Sequence, residues 1–342
     1  MSKPNTQDPS RYIRTTGMIS AKTNLYFPDN SRISFLSKQE AEELSILVRK
    51  RNVFARHSWE NNFYLNRIAK LANHTVIEVF RRGDPNQINE RAEKIAETAE
   101  KVTILSSVLV IDKKQFQSKL GLSSKTVDEI NVTIGNQCKY IKAKTVSIPK
   151  GKGIEIDERF CRRFERCGFH DLYMYCLNDG DLEERIKKSL DWLFESRKEP
   201  SRFASVVKSA IALETLLIFN ESESLARSLS ERAAFILSSS PREREKISSI
   251  VKKFYNARSG IVHGSKKRLR SYTPYLLEAM DRLLVLMHLV IVSNPDIWSS
   301  TEGLRQWCEN ERWGSPSNHK IPFPNIYLRN AIALSDKKEK VE

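Results

Sequence analysis

The chain has little of what holds small secreted proteins together. Its five cysteines are Cys138, Cys161, Cys167, Cys176 and Cys308. The number is odd, the spacing is irregular and no C-x-x-C occurs, so no disulfide framework is expected. A long apolar run is also missing. The longest, Leu283 to Val292, contains His288 and falls far short of the ~20 residues that span a bilayer. The opening residues, MSKPNTQDPSRYIRTTG, lack the apolar core of a signal peptide. Internal repeats and low-complexity tracts are lacking too. These absences argue against an exported or membrane-embedded protein and lead to the expectation of a soluble, cytoplasmic one. Acidic residues are in deficit: 57 Lys and Arg face 42 Asp and Glu, a net charge of +15. That balance favours an anionic partner, nucleic acid first and acidic membrane surfaces second.

What is present suits two domains. The length of 342 residues and a hydrophobic share of 40% allow two real cores. Residues 1–36 are polar and proline-containing, and read as a loosely packed arm. Residues 37–178 read as an α+β domain. Its first helix opens on a possible capping box, Ser37-Lys-Gln-Glu40. Further helices are expected near 62–82 and 86–109. Between 130 and 156 the β-branched segments VTIGNQ, YIKAKTVSI and KGIEI predict a few short strands or a β-ribbon. A short helix follows at DERFCRRFERCG. From 179 to 298 the apolar spacing is helical throughout and predicts a five-helix bundle. Stripes run through Leu182, Ile186, Leu190 and Leu193, then Phe203, Val206, Val207, Ala210, Leu213 and Leu217. The last helix starts at Thr273-Pro274 and is apolar on nearly all sides, as a central buried helix is. Residues 299–342 read as a C-terminal tail, part of which packs through Trp307 or Trp313. The fold class is therefore mainly α, a C-terminal bundle preceded by an α+β domain.

One stretch of the bundle carries chemistry: Phe254-Tyr-Asn-Ala-Arg-Ser-Gly-Ile-Val-His-Gly264. An arginine followed by a histidine after four to six residues means little alone. All six histidines of the chain satisfy it, from Arg51 before His57 to Arg312 before His319. Context singles out Arg258 and His263. The apolar stripe 247, 250, 251, 254 continues to position 258, so Arg258 points where a core residue belongs and needs an anion or a solvated groove. Glu214 falls on or near a buried face of the second bundle helix and can orient that arginine; a structural ion pair, with Arg232 for instance, is the plain alternative. Residues five apart sit roughly 140° apart in an unbroken helix. A break at Gly260 is therefore expected, with Gly264 allowing a second turn, so that His263 folds back beside Arg258. The basic run Lys266, Lys267, Arg268 and Arg270 follows, suited to a phosphate backbone. No cofactor or metal is expected: Cys161, Cys167, His170 and Cys176 match no standard zinc spacing.

Together with Ala212-Leu-Glu-Thr-Leu-Leu217 and Leu229-Ser-Glu-Arg-Ala233, this stretch resembles the HEPN superfamily, in particular its ApeA-like, abortive-infection branch. The likeness covers about residues 181 to 294. Many members carry Asn, Asp or His directly after the motif arginine; here Ser259 stands there. The resemblance implies a helical bundle that homodimerises, with two motifs facing each other in one composite cleft. It also implies a metal-independent endoribonuclease, acting as a toxin in phage defence or in RNA processing, with a second defence component as a possible partner. In that reading His263 is the general acid or base, since histidine changes charge near neutral pH. Arg258 binds the scissile phosphate. Ser259 and Asn256 hydrogen-bond the phosphate or place a ring nitrogen, and Glu214 orients the arginine. Two alternatives stay open: a non-catalytic nucleic-acid-binding or scaffolding HEPN module, and an accessory subunit of a nucleotidyltransferase toxin–antitoxin pair.

Overall fold

The structure is a computed structural model that describes residues 10–16, 18–50, 71–81, 85–110, 124–134, 139–149, 154–220, 225–265, 272–311 and 318–336. Eleven helices and eight strands lie among the described residues. The contacts divide the chain into two units: residues 1–104 with 123–162, and residues 105–122 with 163–342.

The first unit is built on a six-stranded antiparallel sheet. Its strands are β1 (Ser10–Thr15), β3 (Leu25–Tyr26), β4 (Arg32–Leu36), β5 (His74–Arg81), β6 (Ser124–Ile134) and β7 (Lys139–Pro149), in the order β3-β4-β5-β1-β6-β7. A separate parallel pair joins β2 (Ile19–Ala21) to β8 (Ile154–Ile156). The expectation of a loosely packed arm over 1–36 fails from residue 10 onward, because β1 lies between β5 and β6 in the middle of the sheet. Its arginines made it look like surface, but each has an acid to meet. Arg11 and Arg32 both donate to Glu78, which is fully buried and also accepts from Ser34 at 2.8 Å. Arg14 lies 3.2 Å from Glu100 and 3.5 Å from Glu97. Both acids belong to α2 (Pro85–Val110), which matches the helix expected over 86–109. The helix expected near 62–82 is corrected for 74–81, where the β-branched run His-Thr-Val-Ile-Glu-Val-Phe-Arg forms β5, with Val76, Ile77 and Val79 all fully buried. Residues 62–70 lie outside the described ones. The helix α1 (Lys38–Lys50) begins at a true capping box: the Ser37 hydroxyl accepts from the Glu40 amide, and the Glu40 carboxylate accepts from the Ser37 amide.

The helix α3 (Glu158–Arg166) precedes the helices of the second unit. These are α4 (Phe169–Leu177), α5 (Asp181–Lys198), α6 (Arg202–Leu217), α7 (Leu225–Leu237), α8 (Pro241–Val262) and α9 (Pro274–Val292), then α10 (Thr301–Asn310) and α11 (Ile326–Ser335). The five helices expected over 179–298 are α5 to α9. The centre is α9, which packs against α4, α6, α7, α8 and α11. Its Thr273 hydroxyl accepts from the Leu276 amide, and Pro274 occupies the first turn, where no N–H is needed. Around it close Ile186 and Leu193 from α5, Val206 and Leu213 from α6, Leu229 and Ala233 from α7, and Ile247 and Phe254 from α8, all fully buried. Each buried Val, Leu, Ile or Phe side chain stabilises by roughly 1.5–3 kcal/mol. Phe203 departs from its predicted stripe and is 51% exposed beside Tyr272. Residues 163–177, expected with the N-terminal domain, belong to this unit instead: Phe169, Leu172 and Tyr173 of α4 are buried. The stretch expected as a tail also contributes core, through Phe323 and through Leu328, Ala331 and Leu334 on α11. Among the described residues no helix is long and apolar enough to cross a membrane.

Candidate active site

The site begins at the end of α6. Helix C-termini present carbonyls without intrahelical partners and a negative dipole end. Two arginines answer both needs. Arg185 of α5 donates to the carbonyls of Thr215 (2.6 Å) and Ile218 (2.8 Å), and Arg232 of α7 donates to that of Leu217 (2.7 Å). Both guanidinium groups lie on the ring of Phe219, at 5.1 and 4.7 Å from its centre. The last turn of α6 is therefore fixed from two neighbouring helices, and Glu214 stands on that turn.

Opposite it runs α8. The apolar positions 247, 250, 251 and 254 are at most 2% exposed, and the next position on that face is Arg258. Its guanidinium lies 3.4 Å from the Glu214 carboxylate, and each side chain is 23% exposed. Tyr255, one turn earlier, joins them. The Glu214 carboxylate acts on its phenol, and its ring centre lies 5.6 Å from the Arg258 guanidinium. Burial, and then that carboxylate, push the Tyr255 hydroxyl up to about 12. The pairing leaves capacity unspent. Neither Arg258 Nε nor Glu214 Oε1 has a hydrogen-bond partner among the described residues, although both atoms are buried. Buried polar atoms in that state are rare and call for a reason.

The break expected at Gly260 is not there. α8 runs on to Val262, and Gly260 is a buried residue within it. The stop is Gly264, whose φ of +65° is left-handed. The Ser265 amide reaches back to the Gly260 carbonyl at 2.9 Å, closing the helix in the manner of a Schellman cap. His263 is the cap residue, and its amide donates to the Ser259 carbonyl at 3.0 Å. Arg258 and His263 of one chain thus leave almost the same helix roughly 140° apart. No bend folds one back over the other.

The remaining expected residues sort as follows. His263 and Asn256 are exposed, and Ser259 is half-buried. Lys266, Lys267, Arg268 and Arg270 lie outside the described residues. The other histidines separate by surroundings. His288 is fully buried in α9, and His319 is buried with Nε2 donating to the Ile236 carbonyl at 2.7 Å. His74 is exposed, and His170 stacks edge-on against Phe164. An open cavity of about 640 Å³ adjoins Glu214, bounded also by Asp181, Arg185, Lys188, Ile218 and Leu225. Among the described residues no three His, Cys, Asp or Glu side chains converge to hold a metal. Tyr255 was not among the expected site residues. Its signal was spacing: three positions before Arg258 on one helix puts the two side chains on one face.

No family model matches the chain, and no curated protein or solved structure matches it.

Proposed function

We propose that this protein is a metal-independent endoribonuclease of the HEPN type, cutting single-stranded RNA as the toxin of an anti-phage abortive-infection response. The observation that carries this reading is the state of Arg258. Its guanidinium is half-buried and held by one carboxylate, with Nε unspent, at the end of a helix whose cap is the solvent-open His263. A guanidinium so held is ready to receive a phosphate through a fork of donors. A net charge of +15 supports an anionic substrate.

The chemistry needs no metal, because RNA carries its own nucleophile. The 2′-oxygen attacks the adjacent phosphorus while its proton passes to a base. The bond from phosphorus to the 5′-oxygen breaks, and that oxygen takes up a proton. The products are a 2′,3′-cyclic phosphate and a 5′-hydroxyl. His263 exchanges the protons, and Arg258 stabilises the charge growing on the phosphoryl oxygens. Since the two residues diverge on one helix, we further propose that two copies pair, so that one phosphodiester sits between motifs from both chains. Ser259 and Asn256 then hydrogen-bond the substrate, and the basic run from Lys266 to Arg270 holds flanking phosphates.

The test is direct. Purified protein cuts single-stranded RNA in EDTA and leaves cyclic-phosphate ends. His263→Ala loses at least ~100-fold, the lower range for removing an acid–base group. Expression arrests growth, and Arg258→Ala relieves the arrest. Undiminished cutting by His263→Ala defeats the assignment, and RNA binding with no cutting by the wild type identifies an adaptor instead.

A further inference from the structure

The Glu214–Arg258 pair is held by a third residue that takes no part in the proton transfers proposed above. Tyr255 is 8% exposed, so its ring and hydroxyl have little freedom. It bears on both members of the pair in different ways: the ring face lies under the Arg258 guanidinium at 5.6 Å, and the phenol feels the Glu214 carboxylate that the guanidinium pairs with. A cation within ~6 Å of an aromatic ring centre is attracted to its face. A carboxylate that accepts from a fixed phenol has its direction set, as the partners of an active-site ligand set that ligand's. The arginine is long and carries high rotamer entropy, and its own Nε makes no hydrogen bond to any described residue. What orients it therefore comes from Glu214 and Tyr255.

We infer that Tyr255 is a positioning residue: its hydroxyl fixes Glu214, its ring supports Arg258, and the two together aim the guanidinium at an anion. This rests on the proposed phosphate-binding role of Arg258. The two halves of Tyr255 are separable. Tyr255→Phe keeps the ring and removes only the hydroxyl, whereas Tyr255→Leu removes both. If the residue merely filled space, Tyr255→Phe would leave Arg258 as it was.

The experiment uses the full chain and two readouts. The first is nitrogen relaxation at Arg258 Nε, which needs no catalytic activity. An ordered signal in the wild type becomes disordered in Tyr255→Phe, with the order parameter falling below ~0.6. The second is RNA cleavage. Tyr255→Phe lowers kcat about tenfold, the worth of one hydrogen bond to a charged group, with KM and the thermal midpoint near wild type. Tyr255→Leu lowers it further. Glu214→Gln combined with Tyr255→Phe is no worse than Glu214→Gln alone, because the hydroxyl acts through the carboxylate. An Arg258 Nε that stays as ordered in Tyr255→Phe as in the wild type overturns the inference, and so does wild-type kcat in that variant. A wild type that cuts no RNA defeats the proposed function instead, and the relaxation measurement then still decides the positioning role.

Discussion

His288 ties the stability of the bundle to pH. It is fully buried in the central helix α9. Its Nδ1 lies 2.7 Å from the Leu284 carbonyl, and its Nε2 lies 3.0 Å from the Ser189 hydroxyl. A carbonyl only accepts, so Nδ1 carries the proton of the neutral ring and Nε2 must accept. The Ser189 hydroxyl also lies 2.8 Å from the Ala212 carbonyl, and its single proton serves one partner at a time. Burial pushes the imidazole down from 6.5 to about 4. Between those values the unfolded chain binds a proton that the folded one refuses, so stability falls as pH falls through that window and is intact above it. The shift of about 2.5 pH units corresponds to about 3 kcal/mol in full, and to about 2 kcal/mol by pH 4.5. That is a large part of the ~5–15 kcal/mol that holds a domain together. Urea melts of the wild type and of His288→Leu at pH 7.5 and 4.5 isolate the effect, because every other titrating group is common to both proteins. The wild type loses about 2 kcal/mol more across the interval than the variant does. Parallel losses in the two proteins would refute the reasoning.

Three further outcomes follow from the same unit. Gly264→Ala costs about 1 kcal/mol in urea unfolding, because φ is +65° there although an added Cβ meets nothing within 4 Å; an unchanged midpoint would mean that the cap is not left-handed. Arg197→Met leaves the fully buried Asp281 carboxylate without its ion-pair partner at 3.2 Å and costs about 3 kcal/mol at pH 7. Burial already raises the Asp281 carboxyl against the pull of Arg197, so this loss shrinks as the pH is lowered and the acid takes up a proton; a loss that grows toward low pH contradicts it. Replacing Glu214, Tyr255 and Arg258 together by Leu, Phe and Met raises the urea midpoint above that of Glu214→Leu alone and at least to that of the wild type.

Much of this architecture was legible. Ser37 with Glu40 marked the start of α1, Thr273-Pro274 marked the start of α9, and helical spacing located all five helices from α5 to α9. The stripe that ran 247, 250, 251, 254 carried Arg258 to the core face, where Glu214 meets it. What escaped did so for physical reasons. β1 reads as polar because Arg11 and Arg14 are neutralised by acids far along the chain, and no local pattern reveals Glu78 or Glu100. β5 is buried on both faces, so its residues do not alternate cleanly between apolar and polar. Gly260 and Gly264 were both fair terminators. A helix tolerates one internal glycine for roughly 1 kcal/mol, and only the left-handed φ at Gly264 distinguishes the stop. The hydroxyl of Tyr255 had no visible purpose until α6 was placed beside α8.

The cluster around Arg258 is better explained by use than by stability. An ion pair at 3.4 Å with each side chain 23% exposed contributes about 0–1 kcal/mol. Against that stands the buried Arg258 Nε, which has no hydrogen-bond partner among the described residues. Glu214 Oε1 faces the guanidinium at 3.4 Å without hydrogen-bond geometry. A buried donor or acceptor left unmade costs about 1–3 kcal/mol. The balance is unfavourable, or neutral at best. Removing Glu214 alone deepens the deficit, since it strands the guanidinium. Removing all three polar groups at once leaves nothing stranded and fills the same space with apolar atoms, a replacement that is often neutral or stabilising. The triple substitution to Leu, Phe and Met therefore recovers about 1 kcal/mol or more relative to Glu214→Leu, while abolishing any phosphate grip. If it is instead less stable than Glu214→Leu, the three side chains are a structural brace, and the case for Arg258 as a waiting anion site loses its energetic support.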